Sequence, residues 1–276
     1  MDKQEFDIAF KQKLLETFKF TIDFLESHQL KWWACGGTML GAIRHHDIIP
    51  WDDDIDIMMP RNDYNRLIDL SKDLVGTNYR FICPRDEDYY LPSAKIYDIS
   101  TTVIESKRYP FPIGVFVDIF PLDQFDYSIE EYKAKFKKYN RVASRFKLGM
   151  ARYSISEAIS DIKTKHLGSL FYGMKSLLFP YRKREKYRKS FLGIEQMFNN
   201  AKGRNIASPT GAYGTKEFFR SEWFDETIEC AFNDFSVKVP VGFKQYLTVM
   251  YGDYMKLPPE DKRVSHHCFY YIDLYK

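Results

Sequence analysis

Cysteine is scarce and dispersed: Cys35, Cys83, Cys230 and Cys268 are the four in a chain of 276 residues, with no CxxC spacing. A disulfide framework and a zinc ribbon are thereby excluded, and a reducing compartment is expected. Long apolar runs are missing too, since no stretch of about 18 apolar residues offers a membrane span. Met1-Asp2-Lys3-Gln4-Glu5 lacks the basic and apolar blocks of a secretory signal. The expected location is cytoplasmic, with a peripheral place on the inner face of the membrane left open. There is no internal repeat and no low-complexity tract.

What is abundant is aromatic mass, with 23 Phe and 20 Tyr making up most of a 17% aromatic content. That is far too much apolar surface for a disordered chain. A net charge of +3 hides an uneven distribution. The stretch 161–192 holds nine Lys or Arg against two acids, a local +7 that leaves −4 for everything else. A nucleic-acid binder more often spreads its positive face over several elements, so no nucleic-acid partner is expected.

Phe6, Phe10, Leu14, Phe18, Ile22 and Leu25 recur at helical spacing and predict an amphipathic helix ending near His28. Lys31 to Cys35 reads as a short buried strand stopped by Gly36-Gly37, with Thr38 capping a helix to about Arg44. Asp54 to Met59 alternates with period two, which puts Asp54, Asp56 and Met58 on one face and Ile55, Ile57 and Met59 on the other. Pro60 ends that strand, and Asn62 or Asp63 is expected to cap the next helix. Further strands are predicted over Arg80 to Cys83, Ala94 to Asp98, Thr101 to Glu105 and Val115 to Phe120. Beyond Pro121 the character changes: Ser128 to about Met150 reads as a long helix and Gly203 to Pro240 as irregular. The expectation is an α+β chain with a catalytic core over 1–125 and a largely helical region over 126–276, which includes the basic segment 161–192.

Chemistry concentrates in Gly36-Gly37-Thr38 and, sixteen residues on from Gly36, in Asp52-Asp53-Asp54-Ile55-Asp56, which follow Trp51. Carboxylates about 4 Å apart repel by roughly 4 kcal/mol in a surface-like dielectric, so a cation is their natural partner. Two acids at i and i+2 of a strand point the same way about 6.6 Å apart. Oxygen ligands with no nearby His favour Mg²⁺ or Mn²⁺. A Gly-Gly turn entering a helix offers backbone N–H groups to an anion. Together they are the devices of phosphoryl-type transfer. Asp118, flanked by Val117 and Ile119, is the candidate third carboxylate. A calcium loop is excluded because Ile57 stands where the turn glycine is needed and Asp63 where the bidentate Glu is needed.

Trp33 to His45, Ile49 to Ile57 and Asp63-Tyr64 closely resemble the LicD family, bacterial phosphocholine transferases related to the fukutin-type proteins. Ala94-Lys95-Ile96 with Asp98 and Thr101, Gly114 to Asp123, Tyr251 to Tyr254 and Leu257-Pro258-Pro259 are similar to its later blocks. The resemblance implies a nucleotidyltransferase-like mixed sheet flanked by helices. It implies metal-dependent transfer of phosphocholine from CDP-choline to a sugar hydroxyl of a lipid-linked glycan or teichoic acid precursor, with release of CMP. It places divalent metal on Asp54 and Asp56 with Asp118 completing the set, has Asp52 and Asp53 orient these ligands, and makes Arg44 and Lys95 candidates to hold the diphosphate. Arg263, His266 and His267 fall in the family's tail block and are grouped with substrate binding. His266, His267 and Cys268 are consecutive, so their side chains diverge and no zinc site is expected there.

Choline carries a quaternary ammonium and is recognised by aromatic faces. At least two of Phe218, Phe219, Trp223, Phe224, Tyr246, Tyr251 and Tyr254 are expected to supply them. Two other functions stay open at this point: a glycosyltransferase using a nucleotide sugar through the same Asp-x-Asp strand, and a non-catalytic nucleotide or choline-glycan binding module. Leu167, Leu170, Phe171, Met174, Leu177 and Leu178 share one helix face before Pro180, and a cationic cluster from Arg182 to Lys189 follows. This segment reads either as a core helix with a solvated basic helix after it, or as an element lying on an anionic membrane.

Overall fold

In the computed structural model, which describes residues 2–163, 167–199, 202–265 and 269–275, the chain opens with α1 (Lys3–Ser27). Asp2 caps it by accepting the Glu5 N–H while Glu5 accepts the Asp2 N–H, and Phe10, Leu14, Phe18, Ile22 and Leu25 turn inward as their spacing predicts. Next come β1 (Trp33–Ala34), α2 (Gly36–Arg44), β2 (Asp56–Pro60) and α3 (Arg61–Leu70). Thr38 does not cap α2. It is the helix's third residue, and its hydroxyl accepts the Asp56 N–H at 2.8 Å, tying the helix to the acidic strand. Helix α3 likewise starts directly after Pro60, and Asp63 lies in its first turn, paired with Arg66 at 2.8 Å.

Strands β3 (Tyr79–Ile82), β4 (Ala94–Asp98) and β5 (Thr102–Ile104) follow, and β6 (Phe116–Phe125) runs on through Pro121. A proline is tolerated there for a definable reason. The Asp118 N–H donates to Ile55 across the β2 edge, so by alternation the Pro121 nitrogen faces the opposite edge. On that edge β4 pairs with residues 116–119 of β6, and Asp123 to Phe125 pair with a later strand, which leaves Pro121 at the gap where no donor is needed.

Helix α4 (Ile129–Met150), capped by Ser128, leads into α5 (Ile155–Lys163), α6 (Leu167–Leu177) and α7 (Arg184–Leu192). The stretch expected to be irregular contains four strands: β7 (Asn205–Ala207), β8 (Phe218–Arg220), β9 (Thr227–Phe232) and β10 (Phe235–Pro240). Two of them are three residues long, too short to show a period. Helix α8 (Phe243–Tyr251) and β11 (Tyr271–Asp273) complete the α+β fold.

A seven-stranded mixed sheet runs β1-β2-β6-β4-β3, with β7 and β8 continuing from the far end of β6. Strands from both sides of residue 125 therefore share one sheet. The β2–β6 pair is parallel and the others are antiparallel. One face of the sheet buries Ile55, Ile57, Met59, Ile96, Val117 and Ile119 with α1. The other packs Trp33, Met58 and Leu122 against α2, Phe219, Phe224 and α8. A third cluster joins Phe125 to α4 and α7 through Tyr132, Tyr139, Phe146 and Phe191.

Arg61 and Asp123 link α3 to β6 by a two-pronged ion pair, Nε to Oδ1 at 2.7 Å and a second guanidinium nitrogen to Oδ2 at 3.1 Å, with both groups buried. Removing one partner leaves a buried charge uncompensated. Asp123→Ala is expected to lower unfolding free energy by about 3–5 kcal/mol in urea titrations; a loss under ~1 kcal/mol, the range of an exposed pair, would contradict this account.

Candidate active site

The alternation in β2 decides the site. With Ile55, Ile57 and Met59 fully buried beneath α1, Asp56 emerges on the opposite face. The parallel register sets Asp56 opposite Asp118, and the antiparallel register sets Asp118 opposite Lys95. Register partners share a face, so carboxylate, carboxylate and ammonium form a row across β2, β6 and β4. Lys95 Nζ binds both Asp118 oxygens, at 2.8 and 2.9 Å, and lies 3.4 Å from Glu105 and 3.4 Å from the Phe116 ring centre. Lys95 is 1% exposed, and the cross-strand register turns it onto Asp118.

Asp52, Asp54 and Asp56 line a cleft of about 780 Å³ together with Gly36 and Gly37. The two glycines are there for close approach. Gly36 has φ +52°, and a Cβ on it would lie 3.1 Å from Asp56 Oδ2; one on Gly37 would lie 2.3 Å from Asp52 Oδ2. The Gly36 N–H, expected to face an anion, donates to the Tyr246 hydroxyl at 3.1 Å. Among the described residues, Asp52, Asp53 and Asp54 bring carboxylate oxygens within 4.8 Å of one another, the spacing a cation requires. Their all-oxygen donor set suits a hard divalent ion. Cys35 is no nucleophile here, because burial and the carboxylates around it push its thiol well above the usual range.

The far wall comes from the C-terminal part. Tyr251 and Tyr254 line the cleft, as do Trp51 from the acidic block and Tyr213, neither of them among the aromatics expected to meet choline. Tyr213 stands edge-on to Tyr251 with ring centres 6.1 Å apart, and the buried Glu217 holds its loop by accepting the Tyr213 N–H at 2.8 Å. Of the other expected choline residues, Phe219, Trp223, Phe224 and Tyr246 pack in the core patch under α8, and Phe218 packs near Phe125. Trp223 sits against Gly242, away from the cleft lining, because the β8–α8 connection needs its bulk as packing. Arg44 borders the cleft and donates to the Tyr254 carbonyl at 2.7 Å. Arg263 lies over Trp51 at 5.6 Å, behind the cleft wall. Lys256 and Lys262 add two exposed cations at the rim that no sequence pattern marked. His266, with His267 and Cys268, lies outside the described residues.

Residues 29–150 match the family described as LicD/FKTN/FKRP, nucleotidyltransferase domain. Over 251 residues the chain is 30% identical to the lipopolysaccharide cholinephosphotransferase LicD of Haemophilus influenzae, an alignment spanning 88% of each protein. The chain belongs to the LicD family. A shorter stretch of 44 residues is 48% identical to the ribitol 5-phosphate transferase FKRP of Homo sapiens and Mus musculus, covering 16% of this chain and 9% of those proteins. These relatives are transferases, and this LicD-family chain is one as well. Among its described residues no helix is long and apolar enough to cross a membrane.

The LicD-family site holds more negative charge than its own cations neutralise. Burial, then the charge and hydrogen bond of Asp54, push the Asp52 pKa up to about 7. Burial also raises Asp56 well above the usual carboxylate range, reinforced by Asp54, Asp118 and Asp52. Asp118 rises to about 6 because burial outweighs the pull of Lys95. Carboxyls with raised folded-state pKa values bind protons more tightly in the native than in the unfolded chain, so between about pH 4 and 7 stability falls as pH rises. Metal-free protein is therefore expected to melt lower at about pH 7.5 than at about pH 5, with added Mg²⁺ recovering part of the loss. An Asp52→Asn, Asp56→Asn double variant should flatten this slope in calorimetry. An unchanged slope would refute the assignment.

Proposed function

We propose that the chain transfers phosphocholine from CDP-choline to a hydroxyl of a surface glycan, lipid-linked or a teichoic acid precursor, with release of CMP. The observation that carries this reading is one cleft that joins three strand and loop carboxylates, a cationic rim and an aromatic wall. The Haemophilus influenzae relative, a lipopolysaccharide cholinephosphotransferase by name, supports it.

Asp52, Asp54 and Asp56 are the residues that would hold Mg²⁺ or Mn²⁺, which when bound neutralises charge on the diphosphate. The third ligand expected at Asp118 is reassigned to Asp52, since both Asp118 oxygens are bound to Lys95. Lys256, Lys262 and Arg44 face the nucleotide's phosphates at the rim. Trp51, Tyr213, Tyr251 and Tyr254 offer π-faces to the trimethylammonium group, which has no hydrogen-bond donor for a polar pocket to address. The acceptor oxygen attacks the phosphorus that bears choline. The bond from that phosphorus to the bridging oxygen breaks, CMP departs with the electron pair, and the hydroxyl proton leaves to the carboxylate cluster.

The test is CMP release from CDP-choline with added Mg²⁺ and a glycan acceptor. Asp54→Ala and Asp56→Ala should each reduce turnover roughly a thousandfold, several kcal/mol of transition-state stabilisation, while the protein stays folded. Near-normal turnover at saturating Mg²⁺ in either variant, or turnover of a nucleotide sugar in place of CDP-choline, would overturn the reading. Two finer outcomes follow from the geometry. Asp52→Ala should raise the Mg²⁺ concentration needed for half-maximal rate and Asp118→Asn should not. Leu at Trp51 or Tyr213 should raise KM for CDP-choline roughly two- to thirtyfold, the range of one cation–π contact; unchanged KM in both would remove the aromatic wall from substrate binding.

A further inference from the structure

Helix α6 is turned the opposite way from a helix of a globular core. Leu167, Phe171 and Met174 recur at i, i+4 and i+7, so they share one face, and Leu178 extends it just past the helix end. Leu167, Phe171 and Leu178 are 70%, 71% and 75% exposed. The less exposed side of the helix carries Ser169, Leu170, Tyr172, Gly173 and Ser176, so a single aliphatic side chain stands among polar and small ones. Gly173 lies under the Tyr153 ring, where a Cβ would come within 2.2 Å of ring carbons, and Ser176 is buried.

This rotation is held in place. Arg108 donates to both the carbonyl and the hydroxyl of Ser169 and pairs with Asp161 on α5 at 3.1 Å. The Ser169 hydroxyl donates to the same Asp161, and the Tyr172 and Tyr109 hydroxyls meet at 2.6 Å. Turning the apolar face inward would break all of these bonds. Helix α5 adds Ile159 and Ile162, also exposed. Both helices thus expose large apolar side chains that a chain in water gains nothing by exposing.

Exposed cations precede, interrupt and follow that face along the chain. Lys163 ends α5, Lys175 lies on α6 one position past Met174, and Arg182, Lys183, Lys186 and Lys189 follow within the next turns, all exposed. Apolar side chains with cations at their margin fit a surface that is oily below and anionic at its headgroups. A second copy docked face to face would set one +7 segment against another and is disfavoured by repulsion.

We infer that the α5–α6 hairpin, with the basic segment after it, docks the protein onto the anionic phospholipid face of a bilayer. Phe171, Met174 and Leu178 enter the headgroup region, and the lysines and arginines meet lipid phosphates. The inference rests on residues outside the cleft and holds whether or not phosphocholine is the group transferred.

The test is co-sedimentation of the full chain with vesicles of phosphatidylcholine containing roughly one third phosphatidylglycerol, against vesicles of phosphatidylcholine alone. Binding is expected to the first and not the second, and to weaken as salt is raised. The set R182Q, K183Q, K186Q and K189Q, and separately F171Q with M174Q, should each lower the partition at least about tenfold. Both sets should leave circular dichroism and CMP release from CDP-choline in detergent-free solution unchanged, which separates failure of docking from failure of the catalytic reading. No co-sedimentation of the wild-type chain at low salt, or equal partition of the variants, overturns the inference. So does a wild-type dimer in sedimentation velocity that F171Q with M174Q converts to monomer, since a second copy would then be what covers the face.

Discussion

Neighbouring strands stand about 4.8 Å apart, and two like charges at that distance repel by roughly 3 kcal/mol at an effective dielectric of 20. The parallel pairing of β2 with β6 sets Asp56 and Asp118 in this relation, and much of the surrounding structure answers it. Lys95, delivered by the antiparallel register of β4, compensates Asp118 from inside the protein. Asp56 is attracted by Lys95 too, yet burial and the neighbouring Asp54 and Asp118 outweigh that pull and keep its pKa raised. Its backbone N–H is fixed by Thr38 and its carboxylate lies against Gly36, so it is held at the cleft wall with Asp52 and Asp54 beside it. The fold buries one acid–lysine pair and leaves Asp52, Asp54, Asp56 and Asp253 lining one cleft, a crowding of carboxyls that suits a cation.

The same arrangement explains how distant parts of the chain depend on the acidic loop. Tyr246 on α8 accepts the Gly36 N–H, and Arg44 at the end of α2 reaches the Tyr254 carbonyl, contacts that span 210 residues in sequence. Tyr251 of the aromatic wall is thus carried by the same helix that braces the Gly-Gly turn. Ser265 donates to Asp53, a further contact from a distant segment to the acidic loop. The polar attachment of α6 through Arg108 is a separate construction on another side of the molecule, and its apolar face takes no part in the cleft.

The sequence alone determined what depends on local order. Period-two alternation states which face of β2 is apolar and therefore that Asp56 lies on the other, while Asp54, expected on the same strand, precedes β2 in the structure. The helical spacing in 6–25 and 128–150 likewise needs no partner to be read, because the period of a strand or a helix is a property of its own backbone. The fold followed from the match to the LicD family blocks rather than from periodicity.

Tertiary structure decided what depends on register and contact across long separations. Lys95 is a basic residue in a strand until β4 pairs with β6, and only that pairing gives it to Asp118. Pro121 looks like a strand end until its edge proves to fall between two partners. Trp51, Tyr213, Lys256 and Lys262 carry no pattern that joins them, because the cleft they line closes between segments two hundred residues apart. For α6 the sequence shows an apolar face but not its direction. That direction is set by Arg108, Tyr109 and Tyr153, residues of other segments whose polar and aromatic contacts outcompete burial of Leu167, Phe171 and Met174.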